Sequence, residues 1–230
     1  GVTLFTRRNA RGVDLNRNYS HEWRQQTASG PAPFSEPETD AIRALAGTRS
    51  FGHSLSVHSG ASNLGWVWNY TTDPTGEEAL LGTLAQRYLD ANAQPDFWIT
   101  NGAAWYPSNG DTNDWSYGAR GGHDYTLEVS LDKAPPEEEL PQLRAWHVPS
   151  ALGFLVDGRA SGLAGRVQDG GGGGVEASIT SSLGGQPLFA DPETGAFQRP
   201  LAPGPQTITV AAPGYVSASL DVEIPEIASG

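Results

Sequence analysis

Three side chains in this sequence have the type and setting that bond-breaking or ligand-holding chemistry needs: Glu128, His58 and Arg17. Glu128 stands in TLEVS between apolar Leu127 and Val129. On a strand, that setting desolvates the carboxylate, raises its pKa towards neutrality and fits it for general acid–base work. A strand-edge glutamate facing solvent is the plainer reading of the same residue. His58 ends the apolar–polar alternation of SLSVHSG, where an imidazole can ligate a metal or be a hydrogen-bonded core group. With no cysteine in the chain, thiolate metal sites and disulfides are excluded, and any metal must rely on His, Asp or Glu. Arg17, in DLNRN, offers a planar fork suited to a carboxylate, or to a surface pair beside a turn capped by Asp14. Arg7, Arg8 and Arg11 have a solvated basic loop as their ordinary explanation. His21, His53, His123 and His147 have no partner at metal spacing and are read as structural or surface residues.

Such groups need rigid elements to hold them. FSEPETDAIRALAG has Ser35 and Glu38 at capping-box spacing, Pro37 in the first turn and Gly47 as a stop, and predicts a helix. FGHSLSVHSG, with Leu55 and Val57 alternating towards His58, predicts a buried strand ending at a site. In EEALLGTLAQRYLDAN, Leu80, Leu81, Leu84, Tyr88 and Leu89 make one helical stripe that tolerates Gly82. DYTLEVSLD predicts another strand, and LPQLRAWHVPSALGFLVDG a terminal helix bent or interrupted at Pro149. Strands alternating with helices predict an α/β sheet covered on both faces.

Near residue 160 the composition changes. All seven tryptophans lie before it; after it come short alternating runs such as VEASITSS, QTITVAAPGY and ASLDVEI, broken by Gly and Pro. These predict a small all-β sandwich, and thus two domains, 1–160 and 161–230. The glycine run at 170–174 is read as a flexible hairpin loop, since no Lys-Ser or Lys-Thr follows to make a phosphate cradle.

RRNARGVDLNRNY, SVHSG, NGAAWYPSNGDTNDWSYG and TLEVS, in that order, resemble the zinc metallocarboxypeptidases, most closely the carboxypeptidase N/E-like branch, in which a transthyretin-like sandwich commonly follows the catalytic domain. The resemblance covers nearly the whole chain. It implies a partial carboxypeptidase mixed sheet flanked by helices, then a transthyretin-like sandwich. It implies zinc-dependent hydrolysis of the C-terminal residue of peptides or proteins, with Glu128 as catalytic acid–base and Arg7 polarising the scissile carbonyl. Asn16 and Arg17 would anchor the substrate carboxylate, Tyr106 would close over it, and His58 would be a zinc ligand. Asn69 and Asn113 fall where the side-chain pocket is lined. Neither is acidic, so a polar or broad pocket is expected rather than one for Lys or Arg, with Asp111 and Asp124 near enough in sequence to change that.

The sequence departs from the family in one respect. The other two ligands sit in an H-x-x-E motif upstream of the arginine segment, and no H-x-x-E or H-E-x-x-H occurs here. The expectation is a fragment, inactive as it stands, whose remaining ligands come from a missing N-terminal segment or a second chain; a zinc-free peptide-binding or structural relative is the alternative. Fourteen basic against twenty-six acidic residues give a net charge of −12, which argues against a nucleic-acid partner. No apolar run reaches the ~18 residues of a membrane span. A secreted or periplasmic location is implied by the resemblance alone. Asn18 and Asn69 lie in N-x-S/T sequons and are read as unglycosylated.

Overall fold

The computed structural model describes residues 6–226; the ends of both expected domains, 1–5 and 227–230, lie outside them. Four strands build the first sheet: β1 (His53–His58), β2 (Ala61–Trp66), β3 (Trp98–Asn101) and β4 (His123–Ser130), in the order β1-β4-β2-β3. β1 runs parallel to β4, β2 antiparallel to β4 and β3 parallel to β2. Helices α1 (Pro37–Thr48), α2 (Glu78–Ala91), α3 (Gly102–Trp105), α4 (Thr112–Arg120) and α5 (Leu140–Ala160) complete this part.

Period-two alternation splits the sheet's side chains between two environments. Leu64 of β2 and Tyr125 and Leu127 of β4 pack with Leu81, Leu84 and Tyr88 of α2 and Phe154 of α5 in one buried core. The helical stripe read in the sequence is therefore the packed face of α2, with Leu89 at its margin. The residues between them, Asn63, Thr126 and Glu128 among them, line a cavity at the sheet.

Three local expectations are corrected. α1 begins after Glu36, which makes no side-chain cap; Ser35 spends its hydroxyl on the Glu36 carboxylate at 2.9 Å, and the helix runs past Gly47 to Thr48. α5 is one continuous helix, because Pro149 and Ala145, whose carbonyl it leaves unbonded, both face water. Val57 is 65% exposed: β1 is an edge strand, paired only with β4 among the described residues.

Six strands follow α5: β5 (Gly162–Arg166), β6 (Ser178–Ser181), β7 (Gly184–Phe189), β8 (Ala196–Pro200), β9 (Gly204–Ala211) and β10 (Ala218–Ile224). They form a β10-β9-β6-β7 sheet and a β5-β8 pair, all antiparallel, around Ile179, Leu201, Ile208 and Ile224. In the glycine-rich loop, Asp169 accepts from Gly171 and Gly173 N–H at 2.8 and 2.9 Å, giving the run an anchor.

This all-β part meets the rest of the chain through close backbone contact. Gly52 packs so tightly on the Gln198 carbonyl that a Cβ there would sit 1.7 Å from its oxygen. Beside it, Arg199 of β8 is fully buried and donates to Glu77 Oε1 at 2.9 Å and to the Gln186 carbonyl at 2.6 Å. Tyr117 donates to Glu77 Oε2 at 2.9 Å, while His123 Nε2 approaches it to 3.3 Å without hydrogen-bond alignment. Burial pushes the Glu77 carboxyl up; His123, Arg199 and Tyr117 outweigh this and hold it below the usual range.

Candidate active site

One row of the sheet carries the acid–base and metal candidates. His58 of β1 is the register partner of Glu128 on β4, and Glu128 is the partner of Asn63 on β2. Directly opposite residues on neighbouring strands project to the same face about 5 Å apart, so the three side chains stand side by side. His58, Asn63 and Glu128 line the same small cavity, together with Asn16, Asn69, Tyr106 and Thr126.

Glu128 is buried, and among the described residues its Oε2 has no partner. Burial pushes its carboxyl above the ordinary value, while Arg7, the Ala61 N–H and Lys133 restrain the rise. Burial likewise depresses His58, reinforced by the Arg7 charge, which keeps the imidazole neutral and its lone pair free near neutral pH. Arg7 donates through Nε to Asp14 Oδ2 at 2.6 Å, an ion pair that aims it at this end of the sheet.

The DLNRN segment folds as a single turn of 3₁₀ helix, Leu15–Arg17, capped by Asp14. Asn16 accepts from the Thr112 N–H at 3.0 Å and so is pinned to the start of α4. Arg17 turns Nη1 back onto the Asn16 carbonyl at 2.5 Å; its charge reaches His58, but it does not line the cavity as Asn16 does. Asn18 is wholly buried and donates to the Ser29 and Ala32 carbonyls at 2.8 and 2.9 Å, which leaves its amide unavailable to a glycan.

Tyr106 is about half exposed at the cavity mouth, its ring edge-on to Trp105 at 4.7 Å. Tyr117, the other tyrosine of the same sequence segment, is in the core. Asn69 is fixed by its own N–H, which donates to Asp114 at 2.8 Å. Asn113 corrects an expectation: it is buried behind Asn69 rather than lining the cavity, because its amide is taken up by Asp124, Thr126 and Asn69. Asp124 itself is buried, and burial pushes its pKa up to about 6.

Sequence reading missed Asn63 and Thr126. β2 begins one turn after β1, and its signal was the alternation of Leu64 and Trp66, interrupted by polar residues and Gly65. The larger cavity, about 770 Å³, lies on the other side of Asn16 and His58 between α1 and β1, away from Glu128.

The zinc carboxypeptidase family model matches residues 2–147. The chain belongs to the zinc carboxypeptidase family. It is 29% identical to carboxypeptidase SOL1 of Arabidopsis thaliana over 98% of this chain and 48% of that protein. It is 29% identical to the human carboxypeptidase N catalytic chain over 96% of this chain and 56% of that one. The chain thus spans about half the length of these curated relatives. The crystal structure of thrombin activatable fibrinolysis inhibitor superposes with a TM-score of 0.55 at 21% identity, covering 66% of this chain and 42% of that one, a likeness of fold.

The family implies Zn²⁺. Among the described residues no group of three His, Asp or Glu side chains could hold a metal. His58, neutral and lone-pair bearing, suits a single coordination position, but the described residues by themselves do not make a zinc site.

Proposed function

We propose that this chain carries the substrate-handling and acid–base part of a carboxypeptidase, acting on the last peptide bond of peptides or proteins. The observation that carries this is the row His58–Glu128 opening into the cavity that Asn16, Asn69 and Tyr106 also line. Glu128, raised by burial, takes a proton from the attacking water and returns it to the leaving amine. Arg7, held by Asp14 and with its charge felt at both His58 and Glu128, stabilises the oxygen on which negative charge develops. Asn16 and Arg17 receive the substrate carboxylate once the Arg17 fork swings off the Asn16 carbonyl, and Tyr106 closes the mouth.

The remaining metal ligands come, on this reading, from a further segment or second chain seated in the 770 Å³ groove. Exposed Ile42, Leu45, Phe51 and Val57 line it, and it reaches Arg7 and His58. The open edge of β1 beside it can accept a strand. Residues 161–230 form the second domain, read as transthyretin-like from its two antiparallel sheets on one core. Its role here is to brace the first domain. A secreted location follows only from the family. No helix among the described residues is long and apolar enough to cross a membrane.

The test is hydrolysis of a blocked dipeptide by the longest natural form of the protein with zinc. Glu128→Gln should reduce kcat at least about a hundredfold, the usual scale of a general acid–base group. Unchanged turnover in that variant, with metal bound, sinks the assignment. A second reading, non-catalytic binding of peptide C-termini, is favoured by the single imidazole that the described residues bring to the cavity. It predicts carboxylate binding without turnover in the metal-loaded protein.

A further inference from the structure

β2 holds a residue that the carboxypeptidase reading does not use. Asn63 is wholly buried, yet among the described residues neither its Oδ1 nor its Nδ2 has a hydrogen-bond partner. Buried amides are seldom left so, because stranding a polar group away from water is costly. Asn63 lines the Glu128 cavity and flanks Glu128 on the side opposite His58.

The neighbouring groups set the polarity of this end of the cavity. The Asp124 carboxylate accepts from Ser54 Oγ at 2.7 Å, Ser56 Oγ at 2.8 Å and Asn113 Nδ2 at 3.0 Å. With its amino group committed, Asn113 can only accept at Oδ1, from Thr126 Oγ1 at 2.6 Å and Asn69 Nδ2 at 3.4 Å. Among the described residues nothing donates to the Asn69 side-chain oxygen. That oxygen lies over Gly102, at the place a Cβ would occupy. The cavity end therefore offers free acceptors on Asn69 and on Glu128 Oε2, and on Asn63 an amide whose two N–H donors and oxygen acceptor are all unspent.

A side-chain carboxamide matches that set, since it brings both N–H and C=O. An apolar side chain leaves Asn63 stranded. A carboxylate meets the Asn69 oxygen and Glu128. An ammonium or guanidinium leaves the Asn63 donor unmet.

We propose that Asn63 is a specificity-determining residue that hydrogen-bonds the side-chain carboxamide of a C-terminal glutamine or asparagine, an inference that rests on the carboxypeptidase reading above. Its test is binding rather than turnover. Titration calorimetry of the full chain with N-acetyl-L-glutamine should give affinity at least roughly tenfold tighter than with N-acetyl-L-leucine or N-acetyl-L-glutamate, the scale of an unmet buried hydrogen bond. Asn63→Leu should abolish that preference while keeping affinity for N-acetyl-L-leucine. Equal binding of the glutamine and leucine compounds by the native chain overturns the inference and leaves the carboxypeptidase reading standing. Failure of all three to bind removes the carboxylate site, and this inference with it. Should Asn63→Leu not fold, the Asn63 side-chain amide resonance in the native chain decides the matter. It must shift with N-acetyl-L-glutamine and not with N-acetyl-L-leucine, and an unmoved resonance overturns the inference.

Discussion

Arg199 and Glu77 form a buried ion pair, Nη2 to Oε1 at 2.9 Å, that joins β8 to the residue preceding α2. Removing one partner leaves a charge in a dry interface, which costs about 3–5 kcal/mol. Arg199→Met should lower the urea midpoint accordingly. Glu77→Leu combined with Arg199→Met should recover much of that loss, because no lone charge remains. A double variant as unstable as the sum of the singles would show that the pair is not coupled.

Gly102→Ala tests the cavity from its backbone side. The new Cβ would fall 1.6 Å from Asn69 Oδ1 and 2.7 Å from its Cγ, so Asn69 must move. Overpacking of this kind costs ~1–3 kcal/mol. Thermal unfolding should register that loss, and selection among C-terminal side chains should weaken with it.

The pH dependence of hydrolysis should answer to Lys133. Burial raises Glu128, and the Lys133 charge partly offsets that rise. Deleting the charge in Lys133→Met raises the Glu128 pKa further, so the acid limb of kcat/KM should move to higher pH. A limb that stays put, or moves down, would mean that another group controls it.

Asp114 sets a stability trend with the opposite sense to an ordinary salt-bridged carboxylate. Burial, then the nearby Asp111 charge, pushes it up to about 8, above its unfolded value. The folded state thus binds a proton that the unfolded state has released. Its contribution is fully present below about pH 4 and is lost as pH rises through 8. Urea unfolding at pH 6 and pH 9 should show falling stability, and Asp114→Asn should flatten the change across that interval.

The parts of the fold legible in the sequence were those where one face is buried along its whole length. The α2 stripe and the Tyr125–Leu127 alternation of β4 are of that kind, whereas the later strands were legible from short runs broken by Gly and Pro. β2 and β3 escaped notice because their alternation is short and carries polar residues, one of which, Asn63 of β2, lines the cavity. Val57 looked like core because alternation does not reveal whether a strand has a neighbour on each side.

Motif order brought Glu128, His58, Asn16, Asn69 and Tyr106 to one cavity, but spacing could not tell that Asn113 stands behind Asn69. Arg199 was hidden for a similar reason. In FQRPL it reads as a surface charge, and its counter-charge, Glu77, lies far off in the chain.

That distance bears on synthesis. Arg199 emerges 122 residues after Glu77. At ~5–20 residues per second, the carboxylate waits roughly 6–24 s for its counter-charge. Until then Glu77 has every reason to stay hydrated, and α2 cannot settle fully at its first turn. The nascent chain should therefore be protease-sensitive near residue 77 up to the moment β8 leaves the ribosome, and resistant there afterwards.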